Sequence, residues 1–158
     1  MRPPIRIVLT GILVFLSAGV SAHAQSITSF NVPDAFLGTT ALSINDRGEV
    51  TGYYNAHSQQ RGFIRDARGT FTAFDVPGSV QTAAQSINNR GEVTGYYGDP
   101  VTFRPRGFIR DARGTFTTFD PPGSTFFASP QSINNRGEVT GWYSTDGMGN
   151  RGFIRDAH

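Results

Sequence analysis

Apolar, aromatic and β-branched residues occur in short runs that are separated by glycine, asparagine, aspartate and proline. Four such runs follow one another in the order a, b, c and d, as in Thr70–Phe74, the segment ending at Gln85–Ile87, Glu92–Tyr97 and Gly107–Arg110. Threonine, aromatic and β-branched residues favour strands, and no stretch after residue 24 has the spacing of an amphipathic helix. The pattern therefore predicts an all-β chain of short strands.

The strand pattern occurs three times. Ser43–Tyr54 returns as Ser86–Tyr97 and as Ser132–Tyr143, and each copy is followed by Arg-Gly-Phe-Ile-Arg-Asp-Ala. A period of about 45 residues is typical of repeat architectures. We divide residues 25–158 into one domain of three units, 26–69, 70–114 and 115–158.

Turn residues predict how the strands of a unit are connected. Asn88–Gly91 joins strand b to c, and Asp66–Gly69 joins d to the a strand of the next unit. Both segments suit type I turns closed by a left-handed glycine. The c and d strands are joined by longer, variable loops, and a segment with Pro-Gly follows strand a. We therefore expect a four-stranded antiparallel meander b-c-d-a′ in each unit.

Adjacent apolar residues indicate how the sheets are covered. Phe63-Ile64 and Tyr53-Tyr54 are neighbours in predicted strands, and the other units repeat this pairing. Successive residues of a strand point to opposite faces, so both faces of each sheet require cover. This favours a β-propeller-like toroid or partial propeller. A β-trefoil or a three-sheet prism is the alternative, although each leaves one sheet face in water.

The two ends of the repeat array are incomplete in a complementary way. Propellers close with about four to eight blades, which three units do not reach. The first unit begins with an a strand, Ser26–Phe30, that has no preceding d strand, and the last unit lacks an a′ strand. A toroid closed by one chain, a homodimer formed by N-terminal strand exchange and a remnant of a longer array all fit this pattern.

Residues 1–24 are predicted to be a secretory signal peptide. Arg2 and Arg6 precede an apolar stretch, and Ala22-His23-Ala24 provides the small residues of a cleavage site. The apolar stretch is shorter than the roughly 20 residues that a membrane-spanning helix needs. We therefore expect a secreted protein, periplasmic or extracellular, with no membrane association after signal removal.

The charge and residue content of the remaining chain exclude several functions. Without Arg2 and Arg6, the 14 basic residues become 12, which equals the 12 acidic residues, so a nucleic-acid partner is not expected. The chain has no cysteine for disulfides or thiolate chemistry. His57 and His158 are the only histidines after residue 24, so neither a metal site nor a cofactor is predicted.

The repeated motif resembles a known family. Ser-Ile-Asn-x-x-Gly-Glu-Val-Thr-Gly-Tyr, followed by Gly-Phe-Ile-Arg-Asp-x-x-Gly-Thr-Phe-Thr-x-Phe-Asp-x-Pro-Gly, is similar to the bacterial extracellular HAF repeat. The resemblance covers essentially all of residues 25–158. It implies export and a β-rich, propeller-like array, and it implies no agreed activity, ligand or catalytic residue.

The glutamates occupy one repeat position, at Glu49, Glu92 and Glu138. A ring of these carboxylates could bind a cation or perform acid–base chemistry. Catalysis normally needs carboxylates in different environments, whereas a repeat gives each the same environment. We therefore favour pairing with a repeated arginine, such as Arg47 or Arg61.

The repeated Arg-Asp steps at Arg65, Arg110 and Arg155 have two interpretations. They could line a channel that recognises anionic sugars or carboxylates. Alternatively, they are solvated hairpin ends that contribute little individually, which is the interpretation we favour.

Residues that differ between the copies are the better ligand candidates, because a shared scaffold presents variable loops. The c–d loops are 55–60, 98–105 and 144–150. The longest contains an aromatic residue suited to anchor a sugar or a protein. The loop 146–150 has too few oxygen ligands to predict a calcium site. The candidate ligand-binding residues are Asn55, His57, Asp99, Phe103, Arg104 and Asp146.

These patterns predict an exported, non-catalytic β-repeat scaffold or binding module whose ligand is a carbohydrate or an envelope protein. No catalytic residue is predicted. A hydrolase or lyase acting on polysaccharide is an alternative that rests on fold analogy alone. A purely structural or degenerate repeat protein is the third hypothesis.

Overall fold

A computed structural model describes residues 25–157, which form eleven β-strands and no helix. The predicted signal peptide and His158 lie outside the described residues. Residues 25–157 therefore contain no helix that is long and apolar enough to cross a membrane. The prediction of an all-β repeat fold is confirmed.

The strands form three antiparallel sheets. The first sheet contains β1 (Thr39–Ile44), β2 (Val50–Ala56), β3 (Gln59–Arg65) and β4 (Phe71–Phe74). The second contains β5 (Thr82–Ile87), β6 (Val93–Gly98), β7 (Pro105–Arg110) and β8 (Phe116–Phe119). The third contains β9 (Phe127–Ile133), β10 (Val139–Ser144) and β11 (Arg151–Arg155).

Each sheet is a meander in which neighbours in sequence are neighbours in space. The predicted order b-c-d-a′ is therefore correct for the first two sheets, and the third has three strands within the described residues. The hairpin glycines adopt the left-handed backbone that the turns require, with φ of 78° at Gly91 and 94° at Gly69. The strands are longer than predicted at the c–d end, and β2 includes Asn55.

A bulge interrupts the first hairpin of every sheet. In the second sheet Ala84 pairs with Gly95 and Ser86 pairs with Thr94, so Gln85 is the extra residue. The bulge brings the carbonyl of Ala83 close to Gly95, where a β-carbon would lie 2.0 Å from the Ala83 oxygen. The repeated Thr-Gly-Tyr glycine is therefore needed for a close backbone approach.

The sheets are packed face to face in chain order, and the second lies between the other two. Phe63 and Phe108 are completely buried, whereas Ile64, on the opposite face of β3, packs against the core cluster shared with the second sheet. Both faces of the middle sheet are thus covered, as adjacent apolar residues predict. This arrangement is that of successive propeller blades and not of a trefoil or prism.

The outer faces of the array are only partly covered within residues 25–157. On the first sheet, Phe63 is buried beneath Phe30 and Val32, but the rest of the face is open. Ile44 is 68% exposed, whereas its counterpart in the second sheet, Ile87, is 5% exposed. Ile154 in the third sheet is 79% exposed, whereas Ile64 is half-buried. The described chain is therefore an open array, and the hypothesis that one chain closes a toroid is not realised in this structure.

The predicted first strand, Ser26–Phe30, is not a strand in the structure. A strand needs a ladder partner, and residues 25–157 contain no sheet that precedes the first. The segment is nevertheless anchored, because the rings of Phe30 and Phe63 lie 6.3 Å apart. The corresponding pair, Phe74 and Phe108, has the same separation of 6.3 Å.

Candidate functional site

One edge of the array collects the variable connections, and we call it the loop face. It consists of the β2–β3, β6–β7 and β10–β11 loops together with the segments 31–38, 75–81 and 120–126. The hairpin registers place these connections together, since Thr82 at the start of β5 pairs with Tyr97 near the end of β6. Sequence differences between the units are therefore concentrated on a single edge.

The loop face carries most of the exposed large apolar side chains. Of the eleven large apolar side chains that are exposed among residues 25–157, seven lie on it. These seven are Phe36, Leu37, Val80, Val101, Phe103, Phe126 and Met148. Clustered exposed apolar residues, unlike single ones, indicate an interaction surface.

A cleft of about 290 Å³ opens on the loop face between the β6–β7 loop and the segment that leads to β9. Its wall is partly aromatic and its floor is charged. The charged and aromatic residues that line it are Asp99, Arg104, Arg106, Asp120, Phe126 and Phe127. Phe127 is held from behind by Trp142, with the two rings perpendicular and 4.6 Å apart.

Two carboxylates and one guanidinium form the charged floor. Arg106 Nη2 lies 2.7 Å from Asp120 Oδ2, and Arg106 Nη1 lies 3.1 Å from Asp99 Oδ2. Hydrogen bonds from the backbone N–H of Thr102 and Val101, together with one from Arg106, lower the pKa of Asp99 to about 2. The hydrogen bond with Asp120 raises the pKa of Arg106. The floor is therefore a fixed ion-pair network at neutral pH.

Phe103 has an uncommon backbone conformation. Its φ is 58°, the only positive value for a non-glycine residue among those described, and its side chain is 72% exposed. The Phe103 N–H donates to the carbonyl of Asp99 at 2.8 Å, which closes the loop into this shape. Left-handed conformations of bulky residues cost about 1–3 kcal/mol and occur preferentially at ligand contacts.

Arg104 connects the two sides of the cleft, because its Nη1 donates to the backbone carbonyl of Thr125. Two of the six predicted ligand residues, Asp99 and Arg104, line the cleft, and Phe103 belongs to the same loop without lining the cleft. Their role in ligand binding stays a prediction.

The other three predicted residues lie elsewhere on the loop face. His57 is stacked on Phe36 with ring centroids 5.1 Å apart. Asn55 bonds segment 31–38 through its backbone, and Asp146 accepts a hydrogen bond from the N–H of Met148 at 3.0 Å. The six candidates therefore belong to three different sheets, with Asn55 inside strand β2, and do not form one site.

The candidates from the sequence leave out the other residues of the cleft, among them Arg106, Asp120, Phe126 and Phe127. Arg106 and Asp120 recur in the repeat, so a search for residues that differ between the copies does not select them. Arg61 and Asp75, which form the same ion pair at 2.7 Å beside the first sheet, have the same spacing. That repeated spacing of opposite charges was the available signal. Nothing in the sequence shows that segment 120–126 faces the β6–β7 loop.

The repeated glutamates are held within their own turns. Glu49 Oε2 lies 2.6 Å from Arg47 Nη2 and accepts a hydrogen bond from Asn45 Nδ2 at 2.6 Å. The predicted pairing with Arg47 is confirmed, whereas Arg61 pairs with Asp75 instead. The hydrogen bond from Arg136 lowers the pKa of Glu138, which is the opposite of what a proton donor needs.

The Arg-Asp steps are packing elements, and neither a channel nor a freely solvated hairpin end. The guanidinium carbon of Arg110 lies 5.1 Å from the ring centroid of Phe74, and Arg110 Nη1 donates to the carbonyl of Asp111 at 3.2 Å. Arg155 has the same position over Phe119, also at 5.1 Å. Burial lowers the pKa of Arg110, consistent with a half-buried guanidinium that packs on an aromatic ring.

Asparagines of the b–c turns link successive sheets. Asn45 Nδ2 donates to the carbonyl of Asn88 at 2.9 Å, and Asn88 Nδ2 donates to the carbonyl of Asn134 at 2.9 Å. The Oδ1 of Asn88 also accepts the N–H groups of Arg90 and Glu92. Each side chain therefore shapes its own turn and joins it to the next unit.

Replacing Asn88 by alanine should lower the free energy of unfolding by about 2–3 kcal/mol, because buried backbone groups lose their hydrogen-bond partners. Asn150→Ala is the control, since the same change in an exposed loop should alter stability by less than about 0.5 kcal/mol. Urea denaturation followed by circular dichroism measures both variants. We call the bonds from Asn45 to Asn88 and from Asn88 to Asn134 the asparagine ladder. Equal losses of stability in the two variants would show that this ladder does not stabilise the contact between sheets.

No group of three or more histidine, cysteine, aspartate or glutamate residues within the described range is arranged to hold a metal ion. No family model, curated protein or solved structure matches the chain. The resemblance to HAF repeats therefore stays a prediction, and the function is argued from the cleft itself.

Proposed function

We propose that the chain is an exported, non-catalytic binding module that holds a glycan in the cleft of its loop face. The export part rests on the predicted signal peptide. The binding part rests on the cleft, which combines aromatic walls, a charged floor and a neighbouring exposed phenylalanine. Small-molecule sites typically combine apolar walls with a few oriented polar groups in this way.

A sugar matches this combination of groups. Its C–H faces pack on aromatic rings, such as those of Phe103 and Phe126, and its hydroxyls bond to carboxylates and guanidinium groups. Asp120 and Arg106 present both an acceptor and donors at the floor. The volume of about 290 Å³ lies at the lower end of ligand pockets, which suits one or two sugar residues of a longer chain.

The charge states at the cleft support binding rather than hydrolysis. A glycosidase needs a carboxylic acid whose pKa is raised so that it can protonate the leaving oxygen. The pKa of Asp99 is instead lowered to about 2. The observation that carries the proposal is the strained, exposed Phe103, because a bulky residue is held in a costly conformation where its side chain meets solvent.

Replacing Phe103 by glycine tests this proposal. Glycine adopts a positive φ without strain, so the unfolding free energy should be unchanged or higher by about 1 kcal/mol. Glycan affinity should fall at least tenfold, because an aromatic contact is lost. The full chain is exported with its own leader, applied to an array of bacterial surface polysaccharides, and titrated calorimetrically with the glycans that it retains.

Val101→Ala is the matched control, because Val101 is an exposed apolar residue of the same loop. It should retain wild-type affinity. Unchanged binding by the Phe103→Gly variant would remove Phe103 from the site. Failure of the wild-type protein to retain any glycan, combined with capture of a single envelope protein, would replace the glycan with a protein ligand.

A further inference from the structure

The four exposed large apolar side chains that are not on the loop face all lie at the two ends of the array. Leu42 and Ile44 lie in the uncovered part of the outer face of the first sheet, and Ile154 lies on the outer face of the third. Ile27 lies in the segment before the first sheet and is 97% exposed. Apolar groups concentrated at these ends indicate surfaces that are covered in an assembly.

The two internal interfaces show what such a covering contact looks like. At the first, the Ile87 N–H donates to Ser43 Oγ at 3.3 Å, and at the second, the Ile133 N–H donates to Ser86 Oγ at 3.3 Å. The asparagine ladder described above also recurs, with 2.9 Å at both interfaces. One set of contacts therefore joins every pair of neighbouring sheets.

Each end of the array carries one half of this contact set. The third sheet offers the hydroxyl of Ser132 and the amide of Asn134 beside Ile154, along an open groove of about 290 Å³. The first sheet offers the N–H of Ile44 and the carbonyl of Asn45 on its outer face. The donors and acceptors at the end of the third sheet are thus the ones that the groups at the start of the first sheet would pair with, as at the two internal interfaces.

The free edge of β11 can pair with residues 26–30 as β3 pairs with β4. In the first sheet, β3 pairs with β4 through Phe63↔Ala73, Ile64↔Thr72 and Arg65↔Phe71. The repeat places β11 where β3 lies and residues 26–30 where β4 lies. The corresponding register is Phe153↔Ser29, Ile154↔Thr28 and Arg155↔Ile27. Ile27 then occupies the position of Phe71, which packs on Phe63 at 6.0 Å.

We infer that two copies of this chain assemble head to tail into a ring of six sheets. The first sheet of each copy covers the third sheet of the other, and residues 26–30 of each copy add a fourth strand to the other's third sheet. Phe30 already packs on the first sheet of its own chain. The segment therefore needs only to form backbone hydrogen bonds with β11 of the other copy. Six sheets lie within the range of about four to eight blades, whereas three chains would supply nine.

The first experiment measures mass. The chain is expressed from residue 1 with its own leader, purified after export and passed through size-exclusion chromatography with light scattering. The wild-type protein should have twice the protomer mass, whereas Ile44→Glu and Ile154→Glu should be monomers with wild-type far-ultraviolet circular dichroism. Val101→Glu, an equally exposed apolar position on the loop face, should remain a dimer.

The second experiment tests the register of this strand pairing. The chain has no native cysteine, so only the introduced cysteines can cross-link. Thr28→Cys and Ile154→Cys are made in differently tagged chains, which are mixed and oxidised. Directly paired residues have Cα atoms about 4.5–5.5 Å apart, within disulfide range. A covalent heterodimer should form. Ser29→Cys with Ile154→Cys should not cross-link, because the Ser29 side chain points to the other face.

A wild-type monomer at every concentration would overturn the inference, and so would a mass of three or more protomers. A dimer that survives Ile154→Glu, or equal cross-linking of the two cysteine pairs, would place the interface elsewhere. These outcomes are independent of glycan binding, because the cleft lies between the second and third sheets of one chain.

Discussion

Phe108→Ala is expected to lower the free energy of unfolding by about 4 kcal/mol. Phe108 is completely buried in the second sheet, and its ring lies 6.3 Å from that of Phe74 and 5.9 Å from that of Phe116. Alanine would leave a cavity where the first and second sheets meet. Both the lost burial and the cavity oppose folding, because flanking strands cannot collapse into the gap without breaking their ladders.

Chemical denaturation followed by circular dichroism and by the fluorescence of Trp142 measures this loss. Phe108→Leu preserves most of the volume and should cost less than about 1.5 kcal/mol, which keeps the test informative if the alanine variant does not fold. Phe36→Ala removes an exposed ring from the loop face and should change stability by less than about 1 kcal/mol. Similar losses for Phe108→Ala and Phe36→Ala would contradict the stacked arrangement of sheets.

Gly95→Ala should destabilise the protein by about 3 kcal/mol or more. A β-carbon at this position would lie 2.0 Å from the Ala83 oxygen and 3.0 Å from the Ala84 Cα, and both are backbone atoms that cannot rotate away. The bulge at Gln85 would have to rearrange, and the hairpin of β5 and β6 would lose part of its ladder. The midpoint of thermal unfolding should fall accordingly.

Gly149→Ala is the matched substitution, because a β-carbon there meets no atom within 4 Å. It should leave the midpoint of unfolding within about 2 °C of the wild-type value. If Gly95→Ala had the same midpoint of thermal unfolding as Gly149→Ala, the hairpin would tolerate a side chain at this position and the bulge would not be fixed.

The stacking of sheets could be predicted from the sequence because it depends on a local property. Phe63 and Ile64 are both apolar and must point to opposite faces, so each sheet requires two neighbours. The bulge at Gln85 could not be predicted in this way. The bulge depends on the register between β5 and β6. The sequence shows only that a glycine recurs in β6 at the position of Gly95. The strand predicted at Ser26–Phe30 was wrong because its formation requires an edge that the described chain does not present to it.

The cleft was predictable in part, for a related reason. Asp99, Phe103 and Arg104 differ from the corresponding residues of the other units, and variable loops on a shared scaffold are favoured sites of function. Arg106 and Asp120 belong to the repeat, so their second role appears only when the β6–β7 loop is seen beside them. The left-handed backbone of Phe103 is likewise imposed by a hydrogen bond to Asp99 and leaves no mark in the sequence.

The asparagine ladder has a consequence for how such a gene can change. Its donors always point from a unit to the one that follows, so the front of any unit fits the back of any other. Duplication or deletion of one stretch of about 45 residues would therefore lengthen or shorten the protein without requiring a new contact. Mutations in the connecting loops would meanwhile accumulate independently of the number of copies.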